Sequence, residues 1–393
     1  MRTLIMLAAC LIVAAGPARG GDDAQDRIAD WFDLGAAALA EWRVEPPDAD
    51  GRILIRPKAP GSADARRVMV IYPRRSSAYD VAMTTLLDEF ANRALDLEFV
   101  AVNFRQDPAR GDALLAEAAR EGYALVYAMG SETVEWINGL RGDLRTPVVT
   151  VCAKDPVQLG QMPDYTSGSG DSIAFTSLNL RIDVQVEYLR ELKPGLKNLA
   201  ILVDAGNTSA VETQARPIEA AMRAAGVNAF EVAVTDAAKA RDELAALTPA
   251  AVARMRLTDP TLENSLFWIT GSTSVFTEIA EINAHSDRAP VLSVVPDVVQ
   301  EGAASALLSI GVSFESNAQL AAVYGAEILS GRRAAAELPV GLVSPPDIAV
   351  NFLRARAVGM KVPFSFFETA SYVYDAKGAL ARVNGRDVAR GGD

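Results

Sequence analysis

Polar side chains of the kind that bind small molecules gather in six short segments of this chain. Each segment directly follows an apolar run, and the six are residues 73–79, 130–133, 153–156, 204–209, 271–274 and 296–297. Ser, Thr, Asn and Asp are frequent in them, and these residues are also the preferred N-caps of helices. Capping alone explains any single segment. The case for a ligand depends on their recurrence in both halves of the chain.

The chemistry that these segments offer is recognition of a small charged molecule. An arginine can hold a carboxylate through two hydrogen bonds, and the free N–H groups of a helix N-terminus attract anions. A carboxylate at Glu132, Asp155 or Asp297 could pair with a ligand amine. The predicted ligand-binding residues are Arg74, Ser76, Tyr79, Ser131, Glu132, Thr133, Asp155, Asn207, Ser272, Thr273 and Asp297.

The composition argues against catalytic and metal-dependent chemistry. The 393 residues include one histidine, His285, and two cysteines, Cys10 and Cys152, and no G-x-S-x-G motif occurs. Nucleophilic triads and metal sites need clusters of such residues. We therefore predict no catalytic residue, no metal site and no cofactor. Cys152 closes an apolar run and is expected to be buried, while His285 is expected to lie at the end of a helix.

The charge balance bears on the kind of partner. Asp and Glu number 50 against 38 Lys and Arg, which gives a net charge of −12. Proteins that bind nucleic acids need a basic surface. The sequence therefore predicts no nucleic-acid partner.

The elements that position these segments follow a regular alternation of strands and helices. Apolar runs typical of buried strands lie at 68–72, 97–103, 125–129, 147–152, 199–203, 227–234, 266–270, 290–295, 306–312 and 348–351. Single helices separate most of them, which indicates parallel sheets covered on both faces. A polar stretch at 166–172 interrupts the pattern, which then restarts. The chain is therefore predicted to be an α/β protein with two similar lobes, whose ligand lies beyond the carboxyl ends of the strands.

The N-terminus has the pattern of an export signal. Arg2 precedes an apolar run at 3–15, and Ala18 and Gly20 occupy the small positions before a cleavage site. We predict cleavage near Gly20 and location in the periplasm; lipid anchoring at Cys10 is the alternative. Residues 21–66 are predicted to form an extra helix, from the spacing of apolar residues at 26–42, followed by a loosely packed arm broken by prolines.

Several stretches together resemble one protein family, the ABC-transporter substrate-binding proteins of the periplasmic type I fold, in the branch of tryptophan/tyrosine-type receptors. About three-quarters of the chain takes part. The stretches that carry the resemblance are 125–131 (LVYAMGS), 146–149 (TPVV) leading to 155–156 (DP), 188–202 (YLRELKPGLKNLAIL), 290–292 (PVL), 326–331 (AEILSG), 338–340 (LPV), 350–351 (VN) and 359–363 (GMKVP).

The resemblance implies two Rossmann-like lobes with parallel sheets, joined by three hinge crossings and closing on a ligand. The expected boundaries are a signal peptide at 1–20, the arm at 21–66, lobe 1 at 67–176 plus 303–338, lobe 2 at 177–302 plus 339–375, and a tail at 376–393. It also implies a monomer that is not an enzyme and that passes a small polar ligand, an amino acid or related organic anion, to an inner-membrane ABC permease with a cytoplasmic ATPase.

Two other functions stay open at this point. A periplasmic ligand sensor would use the same fold, whereas an exported α/β hydrolase is disfavoured because the sequence has a single histidine and no nucleophile elbow. Glu132 and the pair Arg74 and Arg75 depart from the family pattern, so the ligand need not be an aromatic amino acid.

Overall fold

A computed structural model describes residues 28–59, 65–93 and 95–388. The predicted signal peptide, its cleavage site and Cys10 lie outside these ranges. The described chain folds into two α/β lobes, each built on one twisted sheet. In the described ranges, no helix is both long enough and apolar enough to cross a lipid bilayer.

The sheet of lobe 1 is parallel except at one edge. In chain order its strands are β1 (Trp42–Val44), β2 (Ile53–Pro57), β3 (Arg66–Tyr72), β4 (Leu97–Asn103), β5 (Leu125–Met129), β6 (Val148–Val151) and β7 (Ile173–Ala174). They lie side by side in the order β1-β2-β4-β3-β5-β6-β7, and only β1 and β2 run antiparallel to their neighbours. Successive residues of β3 enter opposite core clusters, so helices must cover both faces.

Four helices belong to the first run of lobe 1: α1 (Ala36–Glu41), α2 (Ser77–Ala91), α3 (Pro108–Arg120) and α4 (Gly130–Asn138). The Asp107 side chain caps α3 by accepting hydrogen bonds from the backbone, and Pro108 occupies its first turn, where a missing N–H costs nothing. α2 and α4 begin directly after β3 and β5, so their first turns lie at the carboxyl edge of the sheet.

The sheet of lobe 2 has a parallel centre and a mixed edge. Its strands are β8 (Asn198–Asp204), β9 (Asn228–Val234), β10 (Ser265–Ile269), β11 (Val291–Ser293), β12 (Leu308–Gly311), β13 (Asp347–Asn351), β14 (Tyr372–Tyr374), β15 (Leu380–Val383) and β16 (Arg386–Asp387). Their order is β16-β15-β14-β13-β12-β11-β10-β8-β9. β8 to β12 pair in parallel, whereas β13 runs antiparallel to β12.

The remaining helices are α5 (Ile182–Leu192), α6 (Thr208–Ala210), α7 (Arg216–Ala224), α8 (Ala240–Arg256), α9 (Thr273–Phe276), α10 (Ile279–His285), α11 (Phe314–Leu329), α12 (Phe352–Val358) and α13 (Phe364–Thr369). A π-helical turn, Val211–Ala215, joins α6 to α7. All of them serve lobe 2 except α11, which returns to lobe 1 and packs on α2 and β6.

Three segments cross between the lobes, as the resemblance implies. The first leads from β7 to α5, the second from β12 to α11, and the third from the short turn Ala335–Glu337 to β13. Asn317 on α11 ties the crossings to lobe 1: its Oδ1 accepts from the N–H of Cys152 at 2.7 Å, and its Nδ2 donates to the carbonyl of Ser177 at 3.1 Å.

The structure differs from the expected lobe boundaries in three places. Residues 303–311, assigned to lobe 1, include β12, which lies between β11 and β13 in the sheet of lobe 2. The described part of the expected loose arm, 28–59, instead belongs to lobe 1. Within it the predicted helix is limited to α1, and β1 and β2 extend the sheet with Trp42, Ile53 and Ile55 buried. The expected tail, 376–393, contributes β15 and β16 to lobe 2.

Candidate functional site

A small cavity of about 60 Å³ lies between the lobes, where the carboxyl ends of both sheets face each other. At roughly 10–15 Å³ for each water molecule, it has room for a handful of waters or a small functional group. Its walls contain seven of the predicted ligand-binding residues: Arg74, Ser76, Tyr79, Ser131, Glu132, Asn207 and Thr273. The remaining lining residues are Ala78, Cys152, Lys154, Leu178, Ser209, Gly271, Phe276 and Phe314.

Lys154 is the residue that joins the two walls. It follows β6 in lobe 1, only 6 % of its surface is exposed, and its Nζ lies 3.5 Å from the carbonyl oxygen of Gly271 in lobe 2. This is a long hydrogen bond for a group that has three donors. Burial lowers the pKa of Lys154 to about 8. The cavity therefore holds a desolvated cation whose charge the protein itself barely compensates.

The approach of Lys154 requires glycine at position 271. A Cβ at that position would lie 2.1 Å from the Lys154 Nζ, closer than any real contact allows. The Gly271 N–H donates to the Oε1 of Gln214 at 2.7 Å, and Gln214 Nε2 in turn donates to Asn179 on the first crossing at 3.4 Å. Gln214 lies in the π-helical turn, which places it beside this loop. The carbonyl facing Lys154 is thus held by a chain of hydrogen bonds.

The lobe 1 wall pairs an arginine with a carboxylate. Arg74 Nε lies 3.1 Å from both carboxylate oxygens of Glu132, and both side chains are partly exposed. Ser131 Oγ accepts from the backbone N–H of Lys154 at 3.0 Å, which leaves its own hydroxyl proton available to a ligand. Ser76 precedes α2 but its side chain forms no cap, so its hydroxyl is not committed to the helix.

Tyr79 reaches the cavity because of Gly130. Gly130 has a φ of +79°, and a Cβ at this position would lie 2.0 Å from the Tyr79 hydroxyl oxygen. Burial raises the pKa of Tyr79 well above its usual range, so the phenol is neutral. It can therefore donate or accept a hydrogen bond.

In the lobe 2 wall, Asn207 has two roles. Its Oδ1 caps α6 by accepting from the N–H of Ala210 and also accepts from the Ser209 hydroxyl at 3.0 Å, while the residue lines the cavity. Asp204 stands behind this wall, where its carboxylate accepts from Ser274 Oγ at 2.5 Å and from the Gly206 N–H at 2.8 Å. The hydrogen bonds of the wall are therefore largely internal, which fixes its shape.

Four predicted residues lie outside this cavity, three of them because the fold uses their side chains. Thr133 Oγ1 donates to the Met129 carbonyl one turn earlier, and Ser272 Oγ accepts from the Asp204 N–H. Asp155 accepts from two backbone N–H groups of the following turn and from the Tyr165 hydroxyl at 2.8 Å. The fourth, Asp297, lines a separate and larger chamber.

The prediction missed Lys154 and the two rings of Phe276 and Phe314. Lys154 belongs to the segment 153–156, in which the sequence predicts Asp155 as the ligand-binding residue. The signal in favour of Lys154 is that an Asp before Pro commonly caps the next turn and is thereby occupied. Cys152 is a free, buried thiol, as predicted, and it also lines the cavity. His285 ends α10 as expected and pairs with Glu281 at 3.0 Å.

The charges of the cavity favour an anion. Its lining contains two cations, Arg74 and Lys154, against the single carboxylate of Glu132. Within the described ranges, no group of three His, Cys, Asp or Glu side chains is placed to hold a metal ion. The arrangement can hold a small charged group through one ammonium, several hydroxyls and an amide, and it offers no nucleophile paired with a base.

The comparisons with known proteins agree with this two-lobed architecture. The family model for ABC transporter substrate binding proteins matches residues 97–373. The chain belongs to this family. No curated protein matches the sequence of this substrate-binding protein significantly. The family match begins at the first residue of β4, so the arm, β3 and the whole of α2 lie outside it.

Solved structures with the same fold cover most of this substrate-binding protein. A conserved domain protein from Vibrio cholerae aligns with a TM-score of 0.61 at 17 % identity, over 79 % of this chain and 100 % of that one. A Streptococcus pneumonia domain in complex with L-Trp has the same TM-score at 16 % identity, over 79 % and 100 % of the two chains. A ligand-free, open substrate-binding protein from Clostridium difficile gives 0.57 at 16 %, over 78 % and 98 %. At these identities the likeness extends to the fold, periplasmic binding protein type I.

Proposed function

We propose that this substrate-binding protein is exported to the periplasm, captures a small organic anion between its lobes, and delivers it to an inner-membrane ABC importer. The ligand class is an amino acid or a related carboxylate. Family membership supports the transporter partner, and the N-terminal sequence pattern supports export. The choice of an anion depends on the cavity.

The observation that carries the proposal is the buried ammonium of Lys154 between the lobes. An uncompensated buried charge is costly, and a carboxylate within hydrogen-bond distance removes that cost. Lys154 comes from lobe 1 and faces Gly271 of lobe 2, so an anion at this point contacts both lobes at once. Such a ligand stabilises the closed state, because it makes its full set of contacts only there.

An amino acid would satisfy the other charges of the cavity as well. The carboxylate of Glu132 can accept a hydrogen bond from a ligand ammonium, while Ser131 and Ser76 supply hydroxyl donors. The L-Trp complex of the Streptococcus protein is an example of an amino acid bound by this fold. The small volume of the cavity limits the enclosed portion to the charged head of the ligand.

The test is identification of the molecule that the protein carries. Protein purified without dialysis is denatured, and the released small molecules are analysed by mass spectrometry; a panel of amino acids and organic acids is screened in parallel by thermal shift. We expect a carboxylate that raises the melting temperature and is recovered chemically unchanged. A ligand without an acidic group, or conversion of the ligand to a product, would contradict the proposal.

Delivery is tested separately by uptake. Cells that lack the gene should lose import of the identified carboxylate, and the wild-type gene should restore it. Normal import in the deletion strain would separate ligand binding from transport and exclude the importer role.

A further inference from the structure

A second and larger chamber lies beside the small cavity. It has a volume of about 560 Å³. It is lined from lobe 1 by Ser77 and Val81 of α2 and by Phe314 and Glu315 of α11, and from lobe 2 by residues of α9, α10, β14 and the turn after β11. The rings of Phe276 and Phe314 line both spaces. The chamber is therefore a neighbouring compartment of the interlobe cleft, with phenyl rings between it and Lys154.

Aromatic rings make up much of the chamber wall. Phe276, Phe314, Tyr372 and Tyr374 all line it. Within the described ranges, none of these four rings stacks on another aromatic ring or lies against an arginine. Aromatic faces carry a negative electrostatic potential and attract organic cations, quaternary ammonium groups in particular.

The charged residues of the chamber are all acidic. Asp297 and Glu315 line it, and the lining contains no lysine or arginine. Asp297 accepts from the backbone N–H of Phe314 at 3.3 Å, while Glu315 accepts from the Tyr372 hydroxyl at 3.0 Å and from Asn384. Neither carboxylate forms an ion pair with any cation in the described ranges of the chain. This is the reverse of the small cavity, where cations are in excess.

The pKa shifts of the acidic groups and phenols that line the chamber agree with a negative electrostatic potential. Asp297 is an exposed residue, but the surrounding protein removes part of its water, and this, together with the charges of Asp347 and Glu315, raises the pKa of Asp297 to about 6. Burial and the same carboxylates hold the pKa of Tyr372 well above its usual range. Burial and the charges of Glu301 and Asp297 also raise the pKa of Tyr374. At pH 8, Asp297 is therefore ionised and both phenols are neutral.

We propose that this chamber is a binding site for an organic ammonium ion, held between the faces of the aromatic rings with Asp297 as its counter-ion. The site goes beyond the proposed anion cavity and does not depend on it, because no residue that supplies charge to one compartment lines the other. The rings attract the ammonium through cation–π interactions, and the carboxylate of Asp297 attracts it through its opposite charge. A neutral molecule of the same shape would gain neither interaction.

The experiment compares choline with its neutral isostere, 3,3-dimethylbutan-1-ol, by calorimetric titration at pH 8 and low ionic strength. We expect choline to bind at least ten-fold more tightly than the alcohol, since only choline is charged. Asp297→Asn should weaken choline binding about ten-fold, and Tyr374→Leu should weaken it several-fold while a thermal melt verifies folding. Asp242→Asn, an exposed carboxylate on α8, is the matched control and should bind choline as the wild type does.

The outcomes separate this site from the proposed function. Lys154→Met should leave choline binding unchanged, whatever it does to anion binding. Equal affinity for choline and the alcohol, or full choline affinity in folded Asp297→Asn, would overturn the ammonium site without affecting the anion proposal. Loss of choline binding in Lys154→Met would also overturn it, because the two compartments would then be one.

Discussion

Among single residues, Lys154 lowers the stability of the folded protein and is also the residue proposed to bind the ligand. Its ammonium is buried with one long hydrogen bond to Gly271, and its pKa is lowered to about 8 from an ordinary value near 10.5. The folded protein therefore binds this proton less tightly than the unfolded chain does. Such a group reduces the stability of the ligand-free protein, and the proposed anion would compensate for it.

Substitution of Lys154 by Met should therefore stabilise the ligand-free protein at pH 7. The advantage should shrink as the pH rises from about 8 to about 10.5, because over that range wild-type Lys154 is neutral when folded and is protonated only in the unfolded chain. Thermal melts of both proteins at pH 7 and pH 10 measure the difference. A lower melting temperature for Lys154→Met at pH 7 would mean that the lysine supports the fold.

Gly271 offers a second test at the same point. An added methyl group would lie 2.1 Å from the Lys154 Nζ, so Gly271→Ala should displace the ammonium and weaken anion binding by roughly ten-fold or more. Gly195→Ala is the control, since its Cβ also makes a tight contact, 3.1 Å from Asn264 Oδ1, but lies away from the cleft. Calorimetry with the identified carboxylate measures both. Equal affinity in the two variants would contradict the placement of the ammonium.

The choice between Lys154 and Asp155 shows how far the sequence could predict the site. The sequence predicts that the segment after β6 faces the ligand, because strand ends converge at one edge of a parallel sheet. It does not predict which of two adjacent charged side chains turns into the cleft. Asp155 is bound by the N–H groups of Val157 and Gln158, an arrangement that depends on local backbone geometry.

Among the elements, the N-terminal arm contributes more than its sequence suggests. Trp42 of β1 is buried, stacks edge-to-face on Phe99 with ring centroids 5.5 Å apart, and donates its indole N–H to the Leu87 carbonyl at 3.1 Å. β2 pairs along β4 and covers what would otherwise be an exposed edge of the sheet. The arm is therefore part of the core of lobe 1.

Trp42→Ala should lower the free energy of unfolding by about 3–5 kcal/mol, the usual cost of removing a large buried aromatic side chain. Leu39→Ala, at a half-exposed position on α1, is the control and should cost much less. Urea unfolding monitored by circular dichroism measures both. A small effect at Trp42 would indicate a loosely attached arm, as the sequence alone predicts.

The strands that the sequence predicts correctly are those with a continuous apolar run. The ten apolar runs all became strands, β3 to β6 and β8 to β13, because strands buried on both faces are apolar throughout. β1, β2 and β14 to β16 are short strands of mixed polarity toward the margins of the two sheets, so no long apolar run predicts them. The prolines at 46, 47 and 57 predict irregular structure, yet Pro57 is the last residue of β2 and lies beyond the part of that strand, Ile53–Ile55, that pairs with β4.

At the scale of the whole molecule, the two lobes and three crossings follow from the topology. The alternation of strands and helices predicts two sheets, but it does not assign β12 to one of them, since the chain changes lobe immediately afterwards at residues 312–313. Hydrogen bonds hold the crossings together: Asn317 Nδ2 donates to the Ser177 carbonyl, and the Ser177 N–H donates to the Gly341 carbonyl at 2.8 Å. Movement of the lobes about these segments would open and close the cavity at Lys154.

The central claim, that an anion closes the lobes through Lys154, is tested most directly by one calorimetric titration at pH 7. The identified carboxylate is titrated into wild-type protein, Lys154→Met and the control Lys197→Met, which removes an exposed lysine from the loop before β8. We predict that Lys154→Met loses about 1.5–3 kcal/mol of binding free energy, roughly ten- to a hundred-fold in affinity, while Lys197→Met binds as tightly as the wild type. Unchanged affinity in a folded Lys154→Met protein would contradict it.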